Sequence, residues 1–308
     1  MTDRAVQVAV ALLLDAHAGE PPARAHPTVW MGRAISAFEK RALGLKSPRD
    51  RLVAGAAFAF ALPAVVFIAT RAALSLAPRP LRITLEVVLL STTLSMRGLA
   101  DAALAVEHEL ERGDLESARA RVGEFVGRDT ATLSESEVSR AAVESVAENT
   151  SDGVVAPMFY GAFFGAPGAL AYKAVNTLDS MLGYRDPPYT HLGRASARLD
   201  DLANFLPARV TVLAVAALAG PEAARAAWRY GPLTSSPNAG WVEAAFAGAL
   251  GVRLGGANAY GGVIHPGAIL GTGRSPGGRD IAAAVTLMRR VCALLACMAV
   301  LAGGIRRG

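Results

Sequence analysis

The chain has 308 residues, of which 52% are hydrophobic and only 19% charged, against about 25% charged in an ordinary soluble protein. The apolar residues collect in long runs, which excludes a soluble globular chain and leaves an integral membrane protein. The net charge of +5 comes from scattered basic residues not interleaved with aromatics, so they read as juxtamembrane arginines that orient helices and not as a nucleic-acid surface. Two cysteines, Cys292 and Cys297, lie five apart in an apolar run. They make no disulfide framework or metal site and are expected to be buried thiols. No linker divides the chain, so one membrane-embedded domain over 1–308 is expected.

Residues 5–14 form an apolar run followed by Ala16-His-Ala18, which has the form of a signal-peptidase site. With Asp3 beside Arg4 the positive bias of a leader is missing, and the run reads as a short first membrane helix. Residues 20–51 carry seven basic and three acidic side chains, which places them in the cytoplasm. Residues 52–70 contain no charge and are the clearest span. Residues 83–100 follow, with Glu86 and Arg97 near their ends. Residues 101–152 hold thirteen acidic and five basic residues. Two spans separate them from the basic loop, so they too are expected in the cytoplasm. Their pattern is helical: Ser134 and Glu137 make a capping box, and Val138, Ala141, Ala142 and Ser145 recur at helical spacing.

Residues 154–175 are apolar but interrupted by Pro157 and by Gly165-Ala-Pro-Gly168. An unbroken helix there would be about 33 Å long and would put the polar groups at its two ends on opposite faces of a bilayer. Gly165-Ala-Pro-Gly168 is a poor helix interior and a good turn. A re-entrant helical hairpin with arms of about 15 Å is therefore predicted, its tip buried in protein. Residues 205–220 form the next apolar run, with Pro207 and Arg209 in its first turn. Ser235-Ser-Pro-Asn-Ala-Gly-Trp241 is a turn signature leading into an amphipathic helix over 241–254. Residues 291–304 are short for a span unless 281–287 extend them past Arg289-Arg290. Together these predict an all-α, polytopic membrane bundle with an acidic helical insertion over 101–152.

Polar residues crowd the two ends of the broken segment. Glu144, Glu148 and Asp152 fall at i, i+4 and i+8, one helix face if the helix persists to Gly153. Such a stripe is either a solvated acidic face or a cation site, since like charges at this spacing repel without a counter-ion. Lys173, Asn176 and Ser180 make a second stripe, with Asp179 close by. The lysine either snorkels to an interface or neutralises a phosphate. Arg194, Arg198 and Asp201 share one face and Asp200 and Asn204 another, which ion-paired helix surfaces would equally explain. There is no Walker A lysine, no zinc spacing among the histidines, no His-Glu-x-x-His, and no triad that spacing can assemble.

Beside these stand Asp15, Gly19-Glu-Pro-Pro22, His26-Pro27, Gly32-Arg33, Glu144-Ser-Val-Ala-Glu-Asn-Thr-Ser-Asp-Gly153, Tyr172-Lys-Ala-Val-Asn-Thr-Leu-Asp-Ser-Met181, Gly183-Tyr184, Ser196-Ala-Arg-Leu-Asp-Asp-Leu-Ala-Asn204, Pro207-Ala-Arg209 and Ser236-Pro-Asn-Ala-Gly240. The chain resembles, over nearly its whole length, the CobD/CbiB family of cobalamin biosynthesis, the adenosylcobinamide-phosphate synthases. It departs at Glu20, where the family usually has Asp, and in its short first span.

The resemblance implies a multi-pass enzyme of the inner membrane with its active site facing the cytoplasm. The implied activity is that of an acid–amine ligase. It joins adenosylcobyric acid to aminopropanol, or its O-phosphate, by an amide on the ring f propionate, using ATP and Mg²⁺. Chemistry and spacing then suggest Glu148, Asp152 and Asp179 as metal carboxylates and Lys173 and Arg198 as phosphate-neutralising groups. Asn149, Asn176 and Asn238 are the suggested orienting amides. Ser236, Asn204, Tyr184 and Asp200 complete the candidate substrate- and phosphate-binding set. The implied partners are the two substrates, the bilayer and other late corrinoid-pathway enzymes, with no nucleic acid. A transporter would predict symmetric broken helices, and only one broken segment and no repeat are found. A non-catalytic scaffold of the corrinoid pathway would differ in lacking ATP turnover.

Overall fold

The computed structural model describes residues 2–184 and 186–305. In chain order it contains α1 (Thr2–Ala18), α2 (Pro27–Ala42), α3 (Pro48–Leu76), α4 (Arg79–Ser91), α5 (Met96–Glu111), α6 (Leu115–Gly123) and α7 (Glu135–Asn149). A π-helical turn (Thr150–Val155) leads into α8 (Ala156–Leu182), α9 (Tyr189–Leu192), α10 (Arg194–Ala219), α11 (Pro221–Tyr230) and α12 (Ala239–Leu250). Four short strands, β1 (Leu254–Gly255), β2 (Asn258–Tyr260), β3 (Val263–His265) and β4 (Ile269–Leu270), precede α13 (Gly278–Ile305). Five helical runs are long and apolar enough to cross a membrane: Pro48–Leu76, Arg79–Glu111, Glu135–Leu182, Arg194–Ala219 and Gly278–Gly303. The expected all-α polytopic bundle is what forms.

The chain packs as two compact units, one of residues up to 95, 156–204 and from 296, the other of 96–155 and 205–295. Three of the four boundaries fall inside continuous helical runs, so no linker composition marks them.

In the first unit, α3 is the most lipid-like element. Only 11% of its most apolar stretch is buried, and Phe60, Val65 and Ile68 face outward, as expected of a helix solvated by acyl chains. The polar segment before it contains α2, whose Met31 and Ile35 pack on Leu170, Ala174, Leu178 and Leu182 of α8. Phe38 of α2 stacks on Phe58 of α3, with ring centroids 4.0 Å apart.

The span expected over 83–100 is interrupted. The hydroxyls of Ser91, Thr92 and Thr93 donate to the carbonyls of Val88, Leu89 and Leu90, competing for the acceptors that would continue the helix, and α4 stops there.

The predicted hairpin is present in α8. Gly165 adopts φ 72° and ψ −166°, a region open essentially to glycine alone. The chain doubles back at this point. Tyr160 and Tyr172 stack with centroids 5.1 Å apart, although twelve residues along a straight helix would span about 18 Å. The arms, 156–164 and 166–182, are unequal, about 14 and 26 Å long, where equal arms were expected.

In the second unit the capping box forms as expected, Ser134 accepting from the Glu137 N–H and Glu137 accepting from the Ser134 N–H. The helix expected over 241–254 runs instead over Ala239–Leu250 and stops at Gly251, which is left-handed at φ 65°. The short strands beyond it are the one departure from all-α structure. β2 and β3 pair antiparallel across the two-residue turn Gly261-Gly262, both at positive φ, the glycine-glycine form of a tight hairpin. The Asp129 carboxylate accepts both glycine N–H groups, at 3.1 and 2.7 Å.

The last helix begins at Gly278, so residues 281–287 do extend it past Arg289-Arg290. Cys292 is buried there as expected, but Cys297 is exposed, because a spacing of five turns the two thiols to different sides of the helix.

Candidate functional site

Each unit carries one polar cluster. In the second unit a cavity of about 510 Å³ is lined by Arg128, Glu148, Glu243, the hydroxyls of Thr234, Ser235 and Ser236, and the glycine backbone at 240, 255, 256 and 267. Its wall is built by Glu144, which is only 4% exposed. Glu144 bonds Arg128 at 2.7 Å, Arg140 at 3.2 Å and the backbone N–H of Gly255 at 2.6 Å. Arg140 also donates to the carbonyls of Gly255 and Ala257, tying α7 to the strand segment. Arg128 and Arg140 both donate to the side-chain oxygen Oδ1 of Asn258. Glu144 is thus a structural anchor and not one of three equivalent carboxylates.

The stripe was read on regular α-helical spacing, and from Thr150 to Val155 the chain is π-helical instead, with Asp152 inside that turn. Such turns recur at functional sites, and here the turn buries the Ser151 hydroxyl without a protein partner among the described residues. Glu148 is exposed toward the cavity and Asp152 is half-buried.

Sequence reasoning did not single out Glu243, Arg128 or Arg140. Glu243 is the one charge in the otherwise apolar α12, and that was the signal available. Burial, with the negative charges of Glu148 and Glu144 beside it, pushes its carboxyl well above the usual range, against the pull of Arg128 and Arg140. A carboxyl raised in this way binds a proton more tightly than an ordinary carboxylate, as a proton acceptor must.

The turn before α12 is built by two predicted residues. Ser236 accepts from the N–H of Asn238 and of Ala239 and so starts the helix. The Asn238 side chain accepts from Arg209 at 2.8 Å, and the Arg209 guanidinium lies over the rings of Phe205 and Trp241. Ser236 lines the cavity, while buried Asn238 holds the loop. Asn149 turns its amide back onto the Ser145 carbonyl at 3.0 Å.

In the first unit the second arm of α8 meets the start of α10. Asp200 accepts from Asn204 at 3.0 Å and from Asn176 at 3.5 Å, and Tyr172 donates to Asn204 at 2.7 Å. Asp179 and Asp201 stand close enough to Asp200 for like-charge repulsion. Glu20, after α1, bonds His26 and feels the charge of Lys173. The His26 bond, helped by the positive charges of His26 and Lys173 and opposed by burial, holds the Glu20 carboxyl below its usual range. Lys173, Asn176, Asp179, Asp200 and Asn204 are therefore assembled as neighbours. Arg198 and Tyr184 are not drawn in: both are exposed, and Tyr184 touches the Tyr189 ring. Arg194 and Arg198 make no ion pair among the described residues.

This arrangement offers two kinds of chemistry. The cavity in the second unit combines hydroxyls, backbone and an arginine that suit phosphate oxygens with carboxylates that suit a cation or a proton. The cluster in the first unit gathers aspartates and amides that suit an ammonium group.

No solved structure gives a match to this chain. Relatives are found by sequence. A protein of *Chromobacterium violaceum* named cobalamin biosynthesis protein CobD is 46% identical over 286 residues, 91% of each chain. The protein of the same name from *Klebsiella pneumoniae* is 44% identical over 261 residues, 82% of each chain. Cobalamin biosynthesis protein CbiB of *Salmonella typhimurium* is 43% identical over 262 residues, again 82% of each. The family model described as CobD/Cbib protein matches residues 8–288. The chain belongs to the CobD/CbiB family.

Proposed function

We propose that this chain is the amide-forming enzyme of cobalamin biosynthesis that joins adenosylcobyric acid to aminopropanol O-phosphate. The place in cobalamin biosynthesis rests on the family and on relatives so named. The observation that carries the finer reading is the cavity of the second unit, where the exposed Glu148, the buried-side carboxyl of Glu243, hydroxyl-bearing residues and glycine backbone line one space.

A carboxylate is a poor acyl donor, and bound ATP with Mg²⁺ supplies the phosphoryl group that makes it reactive. Mg²⁺ takes one or two protein carboxylates and completes its shell with phosphate oxygens and water. Glu148 fits that need, with Asp152 as the second proposed ligand. No all-protein cage of three His, Cys, Asp or Glu is required, and none occurs among the described residues. Ser235, Ser236 and the glycine backbone donate to the phosphates. Glu243 takes the proton that the amine must lose on attack.

In the first unit, Asp179, Asp200, Asn176 and Lys173 make a separate cluster that suits a ligand carrying both an ammonium and a phosphate group. Carboxylates and a lysine within one cluster suit a zwitterionic ligand, which favours the phosphorylated amine over the free one.

The test is amide formation by purified protein given adenosylcobyric acid, ATP and Mg²⁺, with the free and phosphorylated amines compared by product mass. ATP-dependent product, formed faster from the phosphate, is expected. Failure with both amines sinks the proposal, and uptake of intact corrinoid by proteoliposomes without ATP turnover would support a transporter instead.

A further inference from the structure

The first unit also contains a cavity of about 850 Å³ that the proposed chemistry does not use. It lies where α1, the α3–α4 turn and the hairpin tip come together, and four arginines line it: Arg4, Arg71, Arg79 and Arg82. Among the described residues Glu86 is the single carboxylate on its wall. Arg4 donates to the Phe163 carbonyl at the hairpin tip. The guanidinium groups of Arg71, Arg79 and Arg82 make no ion pair with any described residue. Guanidinium groups gathered this closely beside apolar helices repel one another unless an anion joins them.

A second observation points to a ligand. Gln7 of α1 lines the same cavity and is only 8% exposed, and its Oε1 has no partner. A buried acceptor of that kind costs stability until a donor reaches it. The occupant therefore carries both an anionic group for the arginines and a hydroxyl for Gln7. The rim supplies the third clue. Ile83 and Phe164 line the cavity and are exposed, and Phe67 and Leu74 on its wall belong to the most lipid-like helix of the chain. Apolar surface beside a basic pocket between membrane helices is the pattern of phospholipid headgroup sites.

We propose that this cavity binds an anionic phospholipid with a hydroxyl-bearing headgroup, its phosphodiester held by Arg71, Arg79 and Arg82 and its chains lying along the exposed rim. Arginine suits this task because its planar fork meets phosphate oxygens in pairs. The occupant would brace the hairpin tip at Gly165, where an added Cβ would stand 3.7 Å from both Arg4 Nε and Glu86 Oε1. This inference is independent of the amide-forming reading.

The test is native mass spectrometry of delipidated full-length protein in detergent, titrated with phosphatidylglycerol and with phosphatidylcholine of the same acyl chains. Wild type should prefer phosphatidylglycerol by about tenfold or more, and Arg79→Gln/Arg82→Gln should lose that preference, since each arginine near an anionic headgroup contributes on the order of a few-fold. Equal binding of the two lipids by wild type, or a preference that survives in the double variant, overturns the proposal. Displacement of bound lipid by inorganic phosphate assigns the site to free phosphate and overturns it too. Should the double variant fail to fold, Glu86→Gln decides: removing the only carboxylate should tighten phosphatidylglycerol binding, and unchanged or weaker binding counts against the site.

Discussion

The two units hold their buried charge by opposite means. In the second, Glu144 is enclosed by two arginines and a backbone N–H, a saturated arrangement that fixes α7 against the strands. In the first, Asp200 is held by two asparagine amides, with Asp179 and Asp201 nearby. Amides satisfy hydrogen bonds without neutralising charge. One cluster is complete in itself and leaves Glu243 as its reactive member, and the other keeps a negative field that a cationic ligand would complete. This difference separates scaffold from binding site more sharply than the count of polar residues in either unit.

The largest expected effect tests the reactive member. Glu243→Gln should lower amide formation by about 10²–10⁴-fold, the usual worth of a general base, with the protein still eluting as a folded species. Because burial raises this carboxyl and a base acts ionised, wild-type turnover should climb with pH through that raised value, and the climb should vanish in the variant. Glu148→Ala should abolish turnover and Asp152→Ala weaken its Mg²⁺ dependence, whereas Glu111→Ala, on the exposed end of α5, should be silent. Near-normal activity of Glu243→Gln would remove the proton-accepting role.

Next comes the scaffold itself. Arg128→Ala leaves Glu144 buried with half its counter-charge gone, and such a cut typically costs about 3–5 kcal/mol. Denaturant unfolding in detergent should show a loss of that order, partly recovered in Arg128→Ala/Glu144→Ala. Asp200→Asn keeps the shape of its site and relieves like-charge repulsion, so stability should hold or rise while the amine KM increases. Equal destabilisation by Arg128→Ala and Asp200→Asn would erase the contrast between the units.

Much of this was legible in the sequence, for identifiable reasons. The capping box at Ser134 and the break at Gly165-Ala-Pro-Gly168 are local signals, and both form where the residues demand. Helix ends set by hydroxyls were harder to see: Thr92 and Thr93 look like ordinary residues of an apolar run until their bonds to Leu89 and Leu90 appear. Contacts distant in sequence were not visible. Arg128 and Arg140 read as two of five basic residues in an acidic segment, and only the strands beyond 254 show what they hold. The π turn over Thr150–Val155 hid in the same way, because residue spacing alone assumes a regular helix.

A smaller effect probes the hairpin that carries the cluster of the first unit. Alanine at Gly165 would have to occupy φ 72°, ψ −166°, at a cost of about 1–3 kcal/mol. Gly165→Ala should lower the melting temperature in detergent and raise protease cleavage near the tip. A variant as stable as wild type would mean that the turn is not held in this conformation.

The smallest effect lies at Glu20, in the segment that follows α1. Its carboxyl is held below the usual 4.5 chiefly by the bond to His26. A depressed carboxyl stabilises the fold above its unfolded value, and that contribution disappears as pH falls through the lower, folded one. The side chain is 45% exposed, so solvent screening limits the gain to about 1 kcal/mol or less. Glu20→Gln should thus be slightly less stable than wild type at pH 7, and the two melting curves should converge as pH drops below about 4.5. Glu20→Asp keeps the charge but shortens the reach to His26 by a methylene, so it should recover only part of the difference. A gap between wild type and Glu20→Gln that persists unchanged at low pH would assign Glu20 to packing and not to charge.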